Sequence, residues 1–202
     1  GLNPSEPISG TNTMHYLTLA KEAGVRFVVV DPIYTETAAA LADEWVPILP
    51  GTDAAMLVAM AYVLVKEGLY DKKFVEQWVV GFDEYAAYVK DKTPDWAEKI
   101  TTTPAKTIER IARELATTKP ALVDVWSGPG QHSNGVQGGR AIAALNALVG
   151  GYDKPGTMMV PDKRGNAFAA AEADETAAQT LKQPRFDEVS KYPFGHGSGV
   201  YC

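Results

Sequence analysis

The chain has 202 residues, 46% of them hydrophobic and 22% charged, and carries a formal net charge of −6. It is long enough for one sizeable α/β domain, and its acidic balance, with no Lys/Arg stripe, argues against nucleic acid as a partner. No apolar run approaches the roughly 20 residues that span a bilayer, and a single cysteine, Cys202, permits neither an internal disulfide nor a cysteine cluster for zinc or iron–sulfur.

Gly1 to Gly10 reads as a loop rather than a signal peptide, because Asn3-Pro4, Pro7 and Ser9-Gly10 are turn formers. Thr11 or Thr13 is positioned to cap a helix over His15 to Ala23, with Leu17, Leu19 and Ala20 on its apolar side and Gly24 just past its end. Arg26 to Val30 follows as a strand. Phe27 to Val30 is apolar on both faces, the pattern of a strand buried between helix layers in a parallel sheet. Asp31-Pro32 ends it, since proline removes a ladder donor and pushes the preceding residue out of helical space. Loop, helix and strand in this order form the second half of a βαβ unit, so the chain is expected to be an internal piece of a longer polypeptide. The helix amino end would face the opening loop, where its free N–H groups favour a phosphate. No glycine-rich fingerprint accompanies it.

Glu36 to Asp43 reads as a short alanine-rich helix, and Trp45 to Leu49 as a second apolar strand ending at Pro50-Gly51-Thr52-Asp53. Ala54 to Glu67 is a helix apolar almost all round, hence deeply buried, with Asp53 as its expected N-cap and Gly68 as its stop. Asp71 caps a short helix holding Phe74, Val75 and Trp78, and Gly81-Phe82-Asp83 turns into another over Glu84 to Lys90. A helical excursion follows. Thr93-Pro94-Asp95 starts a helix over Trp96 to Ile100 with proline at its first position, and Thr103-Pro104 repeats the device before Ile108, Ile111, Ala112 and Leu115. Ala121 to Trp126 reads as a third buried strand, with Ser127 to Gly135 as its exit loop and Gly138 to Leu148 as a small-residue helix stopped by Gly150-Gly151. From Tyr152 the periodicity fades. Ala167 to Leu181 has helical character, but Pro161, Pro184, Pro193 and the late glycines read as irregular chain. The expected fold is therefore α/β: a Rossmann-like three-layer domain with a mostly parallel sheet, a helical excursion and an irregular C-terminal tail.

The chemistry concentrates at the strand ends. A carboxylate at the carboxyl end of a strand is where open α/β sheets hold a nucleotide's ribose or base; Asp31 occupies that place, with the hydroxyls of Tyr34, Thr35 and Thr37 beside it. The turn at Gly51 and Asp53 reaches the same edge. Either these are ligand-gripping loops or they are ordinary strand-to-helix turns. The Ser127 to Gly135 loop combines small residues, which let a ligand approach the backbone, with the polar groups of Gln131, His132 and Asn134. Ser133 beside His132 lacks an orienting acid, three scattered histidines make no metal site, and the acidic run Glu172 to Glu175 reads as a solvated face.

A resemblance joins these stretches. Gly1-Leu2-Asn3-Pro4, Asp31-Pro32-Ile33-Tyr34-Thr35-Glu36-Thr37, Ala42-Asp43-Glu44-Trp45-Val46-Pro47-Ile48 and Pro50-Gly51-Thr52-Asp53-Ala54-Ala55 resemble the large subunit of the molybdopterin oxidoreductases, the dimethyl sulfoxide reductase superfamily. Tyr70-Asp71 with Phe74, Gly81-Phe82-Asp83-Glu84, Thr93-Pro94-Asp95-Trp96-Ala97, and Gly128-Pro129 with Gln131-His132 and Asn134-Gly135 continue it in order. It covers residues 1–156 and is most like the membrane-anchored anaerobic dimethyl sulfoxide reductase catalytic subunits; residues 157–202 carry none and read as a tail or connector.

The resemblance implies a domain gripping one guanosine diphosphate end of bis(molybdopterin guanine dinucleotide). Asn3, Pro4 and Ser5 would lie against the diphosphate, and Asp31, Tyr34 and Thr35 against ribose or guanine. Gly51 and Asp53 would read the guanine, while Gly128, Gln131 and His132 would approach the pterin. It further implies oxygen-atom transfer at Mo, reducing an S- or N-oxide, and a 4Fe–4S centre elsewhere in the full subunit. The implied partners are the rest of that subunit, an iron–sulfur electron-transfer subunit and a membrane anchor, at the outer face of the cytoplasmic membrane. Two departures stand out. Members usually carry Arg after Asp-Pro, where this chain has Ile33, and the Mo ligand and Cys cluster lie upstream of the matching stretch. The chain alone is thus expected to be catalytically inactive. Other expectations are a family member acting on formate, thiosulfate or polysulfide, or a stand-alone α/β nucleotide-binding module.

Overall fold

The computed structural model describes residues 12–125 and 128–159, with Glu175 and Gln179 as helical positions beyond them. The opening loop with Asn3, Pro4 and Ser5, Thr11, the Trp126-Ser127 step, most of the Ala167 to Leu181 stretch, His196 and Cys202 lie outside the described residues. The chain divides into two units, residues 1–160 and 161–202; the elements below all belong to the first. They are α1 (Thr13–Glu22), β1 (Val28–Val30), α2 (Glu36–Leu41), β2 (Glu44–Val46), α3 (Asp53–Lys66), α4 (Lys72–Trp78), α5 (Phe82–Val89), α6 (Pro94–Thr101), α7 (Ala105–Thr117) and α8 (Gly135–Leu148).

The centre is α3. Its sequence is apolar almost all round, so it cannot lie on a surface, and Met56, Val58, Ala59, Met60, Ala61, Val63 and Leu64 are all buried. It packs against α5, α6, α7 and α8. Leu64 and Ile108 are 0% exposed, and burying each such side chain contributes about 1.5–3 kcal/mol. α7 is amphipathic: Ile108, Ile111, Ala112 and Ala116 point inward. On its outer side Arg110 bridges Glu44 and Glu114, and Arg113 grips Glu67 through two hydrogen bonds at 3.0 and 2.8 Å.

β1 and β2 pair in parallel, Val28 opposite Glu44 and Val30 opposite Val46. This helix-rich α/β arrangement has a sheet of two strands among the described residues. β1 is half-buried rather than enclosed between layers, with Val28 and Val30 packed on the core. β2 ends at Val46 because Pro47 has no N–H to continue the ladder. The Pro47 to Leu49 segment is instead tied to the end of α6 and the linker after it: Leu49 N–H donates to the Thr101 carbonyl at 3.0 Å, and the Thr103 hydroxyl donates to the Pro47 carbonyl at 2.9 Å.

Several local expectations hold. The Asp71 carboxylate accepts from Phe74 N–H at 3.0 Å and the Thr93 hydroxyl from Trp96 N–H at 3.2 Å, each capping its helix, and Pro94 opens α6. Others are corrected. The cap positions of α1 and α3 fall on Asn12 and Thr52, so Thr13 and Asp53 are the first helical residues. Thr103-Pro104 does not repeat the Thr93-Pro94 device, because the Thr103 hydroxyl is committed to Pro47; Pro104 takes the cap position, and Glu98 accepts from Ala105 N–H at 3.1 Å. The third strand is absent over 121–125. There the side-chain amide of buried Asn146 pairs with both backbone groups of Val123, at 3.0 and 2.8 Å. α8 begins three residues before the expected Gly138, at Gly135.

Candidate functional site

Parallel pairing brings the carboxyl ends of β1 and β2 to one edge. Asp31 N–H extends the ladder to the Val46 carbonyl at 3.2 Å, and the Trp45 indole N–H donates to the Asp31 carbonyl at 3.1 Å. The Asp31 side chain is buried, and its carboxylate accepts from Ile33 N–H at 3.1 Å, an Asx turn. Four residues on, the buried Thr35 hydroxyl accepts from Ala38 N–H at 3.1 Å and caps α2. Both residues thereby shape the turn that presents Pro32, Ile33 and Tyr34 to solvent. Tyr34 is 59% exposed, its ring set edge-on to Trp45 with centroids 5.4 Å apart. Thr37 points inward and is buried in α2.

The second group forms where the β2–α3 turn meets the loop before α8. Gly51 has φ +75°, a conformation that favours glycine. A Cβ built there would come 3.2 Å from His132 Nδ1 and 3.3 Å from Cγ, so the imidazole rests against the Gly51 backbone. The Asn134 side-chain amide donates to the Gly51 carbonyl at 3.0 Å. Within the loop, Gly128 precedes a single 3-10 turn, Pro129–Gln131, and Gly135 N–H donates to the His132 carbonyl at 2.9 Å. The loop folds back so tightly that a Cβ on Gly135 would lie 2.3 Å from the Pro129 carbonyl oxygen. Gln131 and His132 remain exposed. Asp53 is half-buried at the first position of α3, where a carboxylate complements the helix dipole.

Of the sequence-predicted residues, Asp31, Tyr34 and Thr35 therefore share one turn, and Gly51 touches His132, with Gly128 and Gln131 on the same loop as that histidine. Asn3, Pro4 and Ser5 lie outside the described residues. Trp45 and Asn134 each act through a bond to backbone distant in sequence, Trp45 to Asp31 and Asn134 to Gly51, which no local reading of either residue shows. The arrangement offers a carboxylate, phenol, amide and imidazole around exposed turns. That is a binding repertoire rather than a nucleophile with its base. A cavity of about 440 Å³ lies elsewhere, lined by residues that include Asp71, Phe74, Trp78, Tyr152 and Lys154, and none of the expected site residues lines it. Its Lys154 ammonium sits over the Phe74 ring and donates to the Gly150 carbonyl at 3.3 Å, and Asp71 is occupied by its cap, so these groups serve the fold.

Residues 1–194 match the molybdopterin oxidoreductase family. The dimethyl sulfoxide reductase DmsA of Escherichia coli is 40% identical over 171 residues, covering 74% of this chain and 21% of that protein. The thiosulfate reductase molybdopterin-containing subunit PhsA of Salmonella typhimurium is 35% identical over 192 residues, covering 95% of this chain and 25% of that protein. Among solved structures, acetylene hydratase from Pelobacter acetylenicus superimposes with a TM-score of 0.64 at 37% identity, over 68% of this chain and 19% of that one. The chain thus spans about a fifth to a quarter of the length of these relatives. The family match over most of its length places the chain in the molybdopterin oxidoreductase family.

Proposed function

We propose that residues 1–156 are the domain that grips a guanosine diphosphate end of bis(molybdopterin guanine dinucleotide), with residues 157–202 a tail or connector. The observation that carries the reading is the meeting of the Gly51 turn with the His132 loop, next in the chain to the paired ends of β1 and β2. The donor set fits a guanosine. The Asp31 and Asp53 carboxylates accept from ribose hydroxyls or the guanine N–H edge, and Tyr34, Gln131 and His132 offer exposed donors and acceptors. Gly51 and Gly128 allow close backbone approach, and Asn3, Pro4 and Ser5 would complete the diphosphate side. When bound, the molybdenum–pterin group supplies two-electron oxygen-atom transfer. This chain's residues bind and orient its nucleotide end.

In the whole protein, further strands from the rest of the subunit would extend β1 and β2 into a Rossmann-like three-layer sheet. The whole enzyme would reduce dimethyl sulfoxide or a similar S- or N-oxide, with a 4Fe–4S centre in the full subunit, an iron–sulfur partner subunit and a membrane anchor. The second reading is thiosulfate reduction, favoured by the PhsA similarity over 95% of this chain. The test is turnover of the full-length enzyme with a reduced viologen, using dimethyl sulfoxide, trimethylamine N-oxide and thiosulfate in parallel. Preference for the S- or N-oxide is expected; turnover of thiosulfate alone would establish the second reading.

A further inference from the structure

We infer that Asn134 is a positioning residue that latches the Gly128–Asn134 loop onto the Gly51 turn and so sets where His132 stands. The bond spans 83 residues of sequence, from the Asn134 side-chain N–H to the Gly51 carbonyl at 3.0 Å. Asn134 occupies the N-cap position of α8, where asparagine's side-chain oxygen usually accepts from the first helical turn, yet it makes no such capping bond. Its amide is turned toward the other loop. The His132 ring packs on the residue that receives this bond, and the left-handed Gly51 leaves the space it occupies. At the next residue, the close approach of Gly135 to the Pro129 carbonyl ties in the far end of the loop. The loop is thus held at both ends, and Asn134 is the end that faces the site. The inference rests on the proposed nucleotide-gripping role of this edge: a ligand contacting the Gly51 turn and one contacting His132 would be held by a single unit.

The test replaces Asn134 with residues that cap a helix well but cannot make the latch. Asn134→Ser is neutral and too short to reach; Asn134→Asp keeps the shape but has no N–H to give at neutral pH. If Asn134 served only the start of α8, both variants would leave the site unchanged or firmer. The first readout needs no ligand: the nuclear Overhauser contact between the His132 ring and the Gly51 α-protons in the 202-residue chain. It is expected in the parent and lost in both variants, with α8 intact by its amide signals. The second is GDP affinity, expected to fall about two- to twelvefold in Asn134→Ser, the range for one lost neutral hydrogen bond. A contact that survives in both variants, or an affinity that does not change once it is lost, would overturn the latch. A parent chain that shows the contact but binds no GDP would contradict the nucleotide reading and leave the latch to the first readout.

Discussion

The side chain of Asn146 stands in for a strand beside Val123. Its Oδ1 accepts from Val123 N–H at 3.0 Å and its Nδ2 donates to the Val123 carbonyl at 2.8 Å, from a position on α8 that is 0% exposed. An amide carries the same donor and acceptor pair as a neighbouring peptide unit, so one residue satisfies both backbone groups that a ladder would otherwise serve. Asn146→Leu preserves approximate volume and abolishes both bonds. It is expected to lower unfolding free energy by about 2–4 kcal/mol, two main-chain groups being left without partners. Urea unfolding with an unchanged m-value measures this; a midpoint equal to the parent's would contradict it.

Two glycines of α8, four residues apart, should respond with opposite signs to alanine. At Gly135 the new Cβ meets backbone, Pro129 O at 2.3 Å and Gly130 Cα at 2.5 Å, which cannot rotate away. Overpacking of this kind costs about 1–3 kcal/mol, and the Pro129–Gln131 turn should shift with it. Gly139 is exposed, with nothing within 4 Å of a Cβ. There alanine should stabilise by about 0.5–1 kcal/mol through helix propensity alone. Thermal midpoints that fall for Gly135→Ala and rise for Gly139→Ala are expected; the same direction in both would contradict the packing described.

Among the described residues, Tyr85 carries a buried hydroxyl without a hydrogen-bond partner. Burial, and secondarily the neighbouring Tyr88, pushes its pKa up to about 12. In the unfolded chain the phenol ionises near its ordinary value, about 10. Between those pH values the unfolded state sheds a proton that the folded state keeps, so stability falls as pH rises through this window. The stabilisation lost by pH 12 is on the order of 2–3 kcal/mol. Tyr85→Phe should be neutral or slightly stabilising at pH 7 and should remove this part of the alkaline loss. Denaturant midpoints compared at pH 8, 10 and 11 check it; parallel losses in parent and variant would refute it.

What was legible in the sequence was local. The all-round apolar character of α3, the Thr93-Pro94 start of α6, the Asp71 cap and the Asp31-Pro32 strand end each depend on residues within a few positions of one another. What escaped depended on distant partners. Thr103 resembles Thr93 in sequence, but its hydroxyl is drawn to Pro47 O, 56 residues away. Ala121 to Val125 has the apolar content of a strand, and only the approach of Asn146 shows why it joins no ladder. At the candidate site Asp31, Thr35, Gly51 and His132 were each legible as residue types at strand ends. The turn and cap bonds of the first two, and the contact between the latter two, are properties of packing. Asn134 was legible as a polar group of the same loop, but its bond to the Gly51 carbonyl, 83 residues away, is likewise a property of packing.

On the proposed reading, Asp31, Tyr34, Gly51 and Asp53 recognise a guanosine. Calorimetric titration of the chain with GDP, ATP and NAD tests it most directly, repeated for Asp31→Asn and Asp53→Asn. Asp31→Asn retains an oxygen able to accept from Ile33 N–H, so the turn is kept while the carboxylate is lost. Saturable binding of GDP, tighter than ATP or NAD and weakened by both substitutions, is the predicted result. ATP or NAD binding more tightly than GDP, or GDP binding indifferent to both carboxylates, would contradict it.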